Sequence, residues 1–392
     1  MNEESPSATA LVLREFVTRF RGEPQWIVRA PGRVNVIGEH TDYNDGYVLP
    51  LAIDPSVWIA VRARTDRVVR AWSIDFKDAV QFDIDALSPG KIEGHTWGEY
   101  VKGAAWALRE AGHRLDGWEG TIHGTVPIGA GLASSAAILV AVARAFAEAS
   151  GLEWDAKSMA RIGQRAENDW IGLQCGIMDQ LASAAGRRDH ALLIDCRSLD
   201  LQPIAVPEEL RIVVLDTTTR RELTSSAYNQ RRRECDAAAR AYGVTSLRDL
   251  TPPQLSLRPP GLGEAEFRRA RHVVSENARV IEMASALPAG DFQRVAWLMD
   301  ESHRSLRDDF EVSSPALDAM VAAAQRAGSV GARMTGAGFG GCAVAFVRAP
   351  RARAFAADVL DDYEKSTGVT GRAYVWRAAD GASSRGWVPR TR

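Results

Sequence analysis

The stretch from Gly32 to Pro50 reads GRVNVIGEHTDYNDGYVLP. Arg33, Asn35, Glu39, His40, Thr41, Asp42, Tyr43, Asn44 and Asp45 crowd polar groups together, with glycines and a proline around them. That punctuation predicts a sharp loop rather than a helix or a long strand. A solvated loop has no need of a Glu-His-Thr-Asp-Tyr run bounded by apolar residues on both sides. A site that grips a polyhydroxylated small molecule does. Each hydroxyl wants a donor and an acceptor, and carboxylates, imidazole and backbone amides supply them.

The rest of the composition narrows the setting. A chain of 392 residues has room for two or three domains, and a formal net charge of −2 offers no field favouring nucleic acid or an anionic membrane. The basic residues are almost all Arg, which reads as a compositional bias. Cys175, Cys196, Cys235 and Cys342 lie far apart without C-x-x-C spacing, so reduced thiols in a cytoplasmic protein are expected rather than a disulfide framework or a zinc site. The opening MNEESPSATA is acidic and lacks the apolar centre of a signal peptide. The longest apolar run, Ala136 to Ala143, is far too short to span a bilayer. Nothing in the sequence sets an oligomeric state, and a monomer is compatible with it.

Strand patterns occur over 26–30, 57–64, 68–74, 79–84, 121–126, 191–196 and 211–216. Helical periodicity begins at Trp97, returns over 132–149, and continues through Met159, Ile162, Ala166 and Trp170. After a polar, proline-containing stretch near 202–209, helices dominate: 223–242, 265–286, 291–306 and 315–327. Strands return at 342–347 and 372–376. Strands with segregated helices predict an α+β fold, divided into 1–205 and 206–392.

A second glycine-rich segment, VPIGAGLASSAA, runs from Val126 to Ala137. A strand enters, Gly129, Ala130, Gly131, Leu132 and Ala133 turn, and Ser134 and Ser135 open a helix. Amides at a helix start point outward with partial positive charge, and glycines admit phosphate oxygens close to the backbone. The bland alternative is a helix capped by Ser134 or Ser135. No Walker A sequence is present. A dinucleotide fingerprint is matched superficially, but TIHGTV is too polar for a central parallel strand and the helix leads into another helix, which argues against an NAD-dependent dehydrogenase. A third segment, MTGAGFGGC from Met334 to Cys342, leads its glycines into a strand, so a tight turn against other backbone is the simplest local reading.

Between these segments stand Glu167, in the helix with Ala166 and Trp170, and Asp179, in CGIMDQ. Carboxylates in apolar surroundings need partners. A surface acid and a helix cap are the ordinary readings. Phosphoryl transfer to a hydroxyl offers a sharper one, with one carboxylate on Mg²⁺ and the other beside the nucleophile.

Taken in order, the three segments resemble the three motifs of the GHMP small-molecule kinases, and the first is similar to that of the galactokinases. The match runs from Arg33 to Cys342. The resemblance implies a two-lobed GHMP fold with the active site in the cleft between the lobes, and ATP-dependent phosphorylation of the C1 hydroxyl of α-D-galactose. It implies that Asp179 is the catalytic carboxylate with Arg33 as partner, and that Glu39, His40, Asp42, Gly176, Asp179 and Tyr228 contact the sugar. Residues Gly129 to Ser135 would cradle the phosphates, Ser135 and Glu167 would hold Mg²⁺, and Trp97 and Tyr100 would lie near the adenine. Arg220 or its neighbour Arg221 would reach a phosphate. GLASS stands where many galactokinases read GLSSS, so Ala133 replaces a small polar residue while Ser134 and Ser135 remain.

On this reading Asp179 takes the hydroxyl proton while Arg33 offsets phosphate charge, or Asp179 only orients the hydroxyl in a dissociative transfer. Asp42 and Glu39, assisted by His40, would distinguish galactose from its epimers. A related kinase for N-acetylgalactosamine or arabinose, or a sugar sensor without turnover, remain the alternatives. The sensor has no need of Arg33, Ser135, Glu167 and Asp179 together.

Overall fold

The computed structural model describes residues 7–90, 96–219 and 224–388. In chain order its strands are Trp26–Asn35 (β1), Tyr47–Val48 (β2), Pro50–Ala63 (β3), Val68–Ser73 (β4), Asp78–Asp83 (β5), Trp118–Gly124 (β6), His190–Asp195 (β7), Leu201–Ala205 (β8), Leu210–Asp216 (β9), Gly331–Thr335 (β10), Cys342–Arg348 (β11), Arg372–Trp376 (β12) and Ser383–Gly386 (β13). The helices are Ala8–Phe20 (α1), Trp97–Glu110 (α2), Ser134–Ser150 (α3), Ala156–Arg165 (α4), Met178–Ala185 (α5), Thr224–Tyr242 (α6), Glu264–Ala286 (α7), Phe292–Asp308 (α8), Pro315–Arg326 (α9) and Ala352–Thr367 (α10).

Three sheets organise these elements. The largest has the order β13-β1-β3-β6-β4-β5, a four-stranded sheet has β10-β11-β9-β12, and a small one has β2-β7-β8. The last strand of the chain thus returns to the first sheet, pairing antiparallel with β1. Helix α3 is apolar nearly all round, with Leu139, Val140, Val142 and Phe146 buried, and it packs against β1 and β3. One apolar core runs from Val28 to Val214 and on to Val280, Met283, Val344 and Phe346. No described helix is long and apolar enough to cross a membrane.

Three sequence expectations need correction. The Gly32–Pro50 segment is not loop from its start, because β1 continues to Asn35 with a register shift between Pro31 and Arg33. Fully buried Val34 draws this part into the sheet, and the shift gives the local bend that re-aims neighbouring side chains. The loop proper begins at Val36 and contains a short 3-10 turn, Asp42–Asn44. The strand expected over 121–126 begins at Trp118 and lies inside the large sheet, antiparallel to β3 and parallel to β4. Its polarity is tolerated because Thr121 donates to the Val12 carbonyl at 2.7 Å and His123 pairs with Asp75 at 2.7 Å. Finally, the helix carrying Met159 does not continue regularly through Trp170. Helix α4 passes at Arg165 into a π-helical turn, Ala166–Ile171, that carries Glu167.

Candidate active site

Two cavities meet at the start of α3. The smaller, about 320 Å³, is lined by Arg33, Glu39, His40, Asp42, Gly176 and Asp179, with Tyr228 from α6 and Gly336 and Ala337 from the third glycine segment closing it. The larger, about 680 Å³ and more apolar, is lined by Trp97, Tyr100, Val126, Ile128, Ser134 and Ile138, with Phe76 opposite. Ser135 lines both. Residues far apart in the sequence, from Arg33 to Ala337, are therefore brought to one cavity.

Arg33 and Asp179 form the centre of the smaller cavity. Asp179 stands in the first turn of α5, yet the helix N-cap is Ile177 and no side chain caps it. The carboxylate is held instead by the guanidinium fork, Nε to Oδ1 at 2.8 Å and Nη2 to Oδ2 at 2.7 Å. Arg33 also donates through Nη1 to the Gly131 carbonyl at 2.6 Å, and its amide donates to the Leu132 carbonyl at 3.1 Å. The first and second glycine segments are thereby locked together.

The third segment closes on the same loop. Gly336 has φ +84°, and a Cβ there would lie 3.2 Å from the Gly131 carbonyl. A tight turn against backbone is what the structure contains, and the backbone it packs against is the candidate phosphate loop. Within that loop Ala130 and Leu132 are buried beneath while Gly129 and Gly131 are exposed. Helix α3 has Ala133 as N-cap, in a left-handed conformation and without a side-chain cap. Ser134 and Ser135 are thus the first helical residues and not caps, which leaves their hydroxyls and the first amides of the helix for a ligand.

Glu167 is buried, not a surface acid. Gln180 Nε2 donates to its Oε2 at 2.6 Å, and Cys175 Sγ lies 3.4 Å from the same oxygen. Burial pushes its pKa up to about 7, with the Ser135 hydrogen bond opposing. Among the described residues no three His, Cys, Asp or Glu side chains gather as a metal cluster.

The polar loop supplies the opposite wall. Burial, then the charge of Asp179, pushes Asp42 up to about 6. Gly176 lies so close that a Cβ on it would stand 1.8 Å from Asp42 Oδ2. Glu39 is buried against the third segment: Asn35 Nδ2 donates to Oε2 at 2.7 Å, the Gly336 amide to Oε1 at 2.8 Å, and Arg333 Nη2 lies 2.5 Å from Oε2. Burial raises its pKa, while Arg333 and the Gly336 amide oppose. His40 has left-handed φ of 63° and both ring nitrogens occupied by protein. Nε2 must donate to the Ala337 carbonyl, 3.2 Å away, so Nδ1 accepts from the Tyr43 hydroxyl at 2.9 Å. Burial lowers its pKa to about 3, and the ring is neutral, flanked by Phe310 and Tyr228 at centroid distances of 4.6 and 5.5 Å. The histidine lines the cavity but is satisfied by its neighbours. Arg220 and Arg221 lie outside the described residues.

Sequence reasoning missed Arg333, Gln180 and the helix α7 residues that brace the polar loop. Arg333 left one signal, a lone cation in the apolar strand that leads into the third segment.

Residues 14–63 match the galactokinase galactose-binding signature, 99–187 the GHMP kinases N terminal domain, and 283–365 the GHMP kinases C terminal domain. The chain is 49% identical over 376 residues to a galactokinase of Roseiflexus sp. (strain RS-1), covering 94% of this chain and 95% of that protein. The crystal structure of Lactococcus lactis galactokinase complexed with galactose aligns with a TM-score of 0.91 at 35% identity, over 96% of this chain and 100% of that one. Methanococcus jannaschii mevalonate kinase aligns with a TM-score of 0.65 at 17% identity over 92% of this chain and 100% of that one, which is a likeness of fold alone.

Proposed function

The chain belongs to the galactokinase family of the GHMP kinases, and from that membership we propose how its two cavities divide the work. The reaction is ATP-dependent transfer of a phosphoryl group to the C1 hydroxyl of α-D-galactose, giving galactose 1-phosphate and ADP. Galactose occupies the smaller cavity, with Glu39, His40, Asp42, Gly176, Asp179 and Tyr228 around it. The nucleotide occupies the larger one, its base near Trp97 and Tyr100 and its phosphates over Gly129–Ser135. The buried Trp97 indole N–H has no partner among the described residues, and a base acceptor would satisfy it.

The observation that carries this reading is the two-point grip of Arg33 on Asp179 where the cavities converge. Each carboxylate oxygen accepts once from Arg33 and retains a second lone pair for the sugar hydroxyl. Asp179 keeps 27% of its side chain exposed, so that lone pair is reachable. As the hydroxyl oxygen bonds to the γ-phosphorus, its proton passes to Asp179, and the bond from that phosphorus to the β,γ-bridging oxygen breaks to release ADP. Arg33 offsets the charge gathered there.

Ser135 and Glu167 fit Mg²⁺: they are hard oxygen donors beside the phosphate loop, and the Gln180 amide fixes the carboxylate. Mg²⁺ commonly takes only one or two protein ligands and completes its shell with phosphate oxygens and water. Bound with ATP, it supplies charge stabilisation to the phosphates. The division into lobes near residues 205 and 206 is supported by the small sheet ending with β8 and the four-stranded sheet opening with β9. Cysteines outside any disulfide at Cys175, Cys196 and Cys235 support a reducing, cytoplasmic setting.

The test is ATP consumption with galactose, glucose, N-acetylgalactosamine and arabinose as acceptors. Galactose should be strongly preferred. Equal turnover of glucose would refute a site that reads the axial C4 hydroxyl, since unpaired buried groups at such a site discriminate by ~10⁴-fold.

A further inference from the structure

The polar loop is braced from the other half of the chain. Three residues of α7 reach it. Glu276 Oε1 accepts from the Gly38 amide at 2.9 Å, Asn277 Oδ1 accepts from the Tyr47 amide at 2.8 Å, and His272 Nε2 donates to the Glu39 carbonyl, 3.1 Å away. All three bonds go to backbone, and they bracket the segment that carries Glu39, His40 and Asp42. None of the three side chains lines the sugar cavity.

The segment needs such bracing. His40 and Asp45 have φ of 63° and 56°, in the left-handed region that is costly for residues other than glycine. Such conformations persist only where the surroundings over-determine them. Helix α7 is itself anchored: Ser302 Oγ donates to Glu276 Oε1 at 2.6 Å and Arg279 Nε to Oε2 at 2.7 Å. Although burial alone would raise the Glu276 pKa, Arg279 and its other neighbours hold it at about 2, so it is a fixed acceptor.

We propose that Asn277, together with Glu276 and His272, is a positioning residue for sugar recognition: it fixes the backbone path of the loop and thereby the placement of Asp42 and Glu39, without touching the substrate. This inference rests on the reading above that the loop binds the sugar. Asn277 is the residue to test, because it is only half buried and its removal leaves the Glu276 and His272 contacts in place.

Asn277→Ala should raise the KM for galactose about ten-fold, the effect of one lost hydrogen bond, with the KM for ATP and kcat little changed. Asn277→Asp keeps an acceptor opposite the Tyr47 amide and should restore most of the galactose KM. Melting temperature is measured alongside. An unchanged galactose KM in Asn277→Ala would overturn the proposal, as would a parallel loss for both substrates that follows the melting temperature, or failure of Asn277→Asp to rescue. Asp42→Asn separates the two ideas. If that variant weakens galactose binding while Asn277→Ala does not, the positioning role fails and the site reading stands. If neither moves it, the site reading itself fails.

Discussion

Arg33 holds both carboxylate oxygens of Asp179, at 2.8 and 2.7 Å, and gives its remaining arm to the Gly131 carbonyl of the phosphate loop. One side chain therefore fixes the candidate proton acceptor relative to the loop that would present the phosphoryl group. Asp179→Asn places an NH₂ opposite guanidinium donors and removes the proton acceptor together. Its kcat should fall by ~10²–10⁴, with ATP affinity preserved. Steady-state kinetics at saturating ATP decides, and near-normal turnover would remove Asp179 from the chemistry. Arg33→Lys keeps the charge without the two-point grip and should lower kcat by a smaller factor.

Gly176 is required by its contact with Asp42. A Cβ would stand 1.8 Å from Oδ2, so in Gly176→Ala the carboxylate must swing away or the backbone must move. The KM for galactose should rise about ten-fold or more, as for loss of a hydrogen bond with an unsatisfied partner, while the KM for ATP holds. Equal damage to both would mean that the loop as a whole had collapsed.

Under the proposed role of Asp42, sugar binding and stability should respond oppositely to pH. Its pKa rises from 3.8 to about 6 through burial and then the charge of Asp179. The folded state thus binds this proton more tightly than the unfolded state. The stabilisation is complete below the unfolded value and is lost as pH rises through about 6. Galactose binding, if it uses the ionised carboxylate as acceptor as proposed, should strengthen over the same interval. Asp42→Asn should flatten that part of the curve of melting temperature against pH. Superimposable curves for the two proteins would contradict the assignment.

Ser135 sits at the junction of the two cavities and does not cap α3, since Ala133 is the N-cap. Ser135→Ala should therefore leave the melting temperature nearly unchanged while raising the Mg²⁺ concentration needed for half-maximal rate. An identical Mg²⁺ titration in the variant would exclude the hydroxyl as a ligand.

The residues proposed for these roles stood out where chemistry imposes a local pattern, and the resemblance suggested the role of each. Arg33, Asp42, Ser135 and Asp179 stand inside glycine-punctuated segments that few other purposes explain. The residues that brace them were not legible. Glu276 and Asn277 look like any polar helix face, and only the fold reveals that the face meets backbone amides. The interior place of β6 was hidden because Thr121 and His123 read as polar, although partners over a hundred and about fifty residues away satisfy them. The π-helical turn at Glu167 leaves the apolar stripe of Met159, Ile162, Ala166 and Trp170 intact, so periodicity could not show it.

Arg333 and Glu39 offer the last test, since both are buried, at 0% and 1% exposure, and join the strand before the third glycine segment to the polar loop. Arg333 Nη2 lies 2.5 Å from Glu39 Oε2, and Nη1 donates to the Val36 carbonyl at 3.1 Å. Arg333→Met leaves a carboxylate in a dry site with its cation gone, which costs about 3–5 kcal/mol in comparable cases. The urea midpoint should fall accordingly, and the galactose KM should rise because Glu39 lines the proposed sugar cavity. Adding Glu39→Gln removes the stranded charge, so the double variant should recover part of the lost stability without recovering the KM. A double variant as unstable as the sum of the single losses would mean that the two groups are not energetically coupled. Recovery of both stability and KM would deny Glu39 its part in holding the sugar.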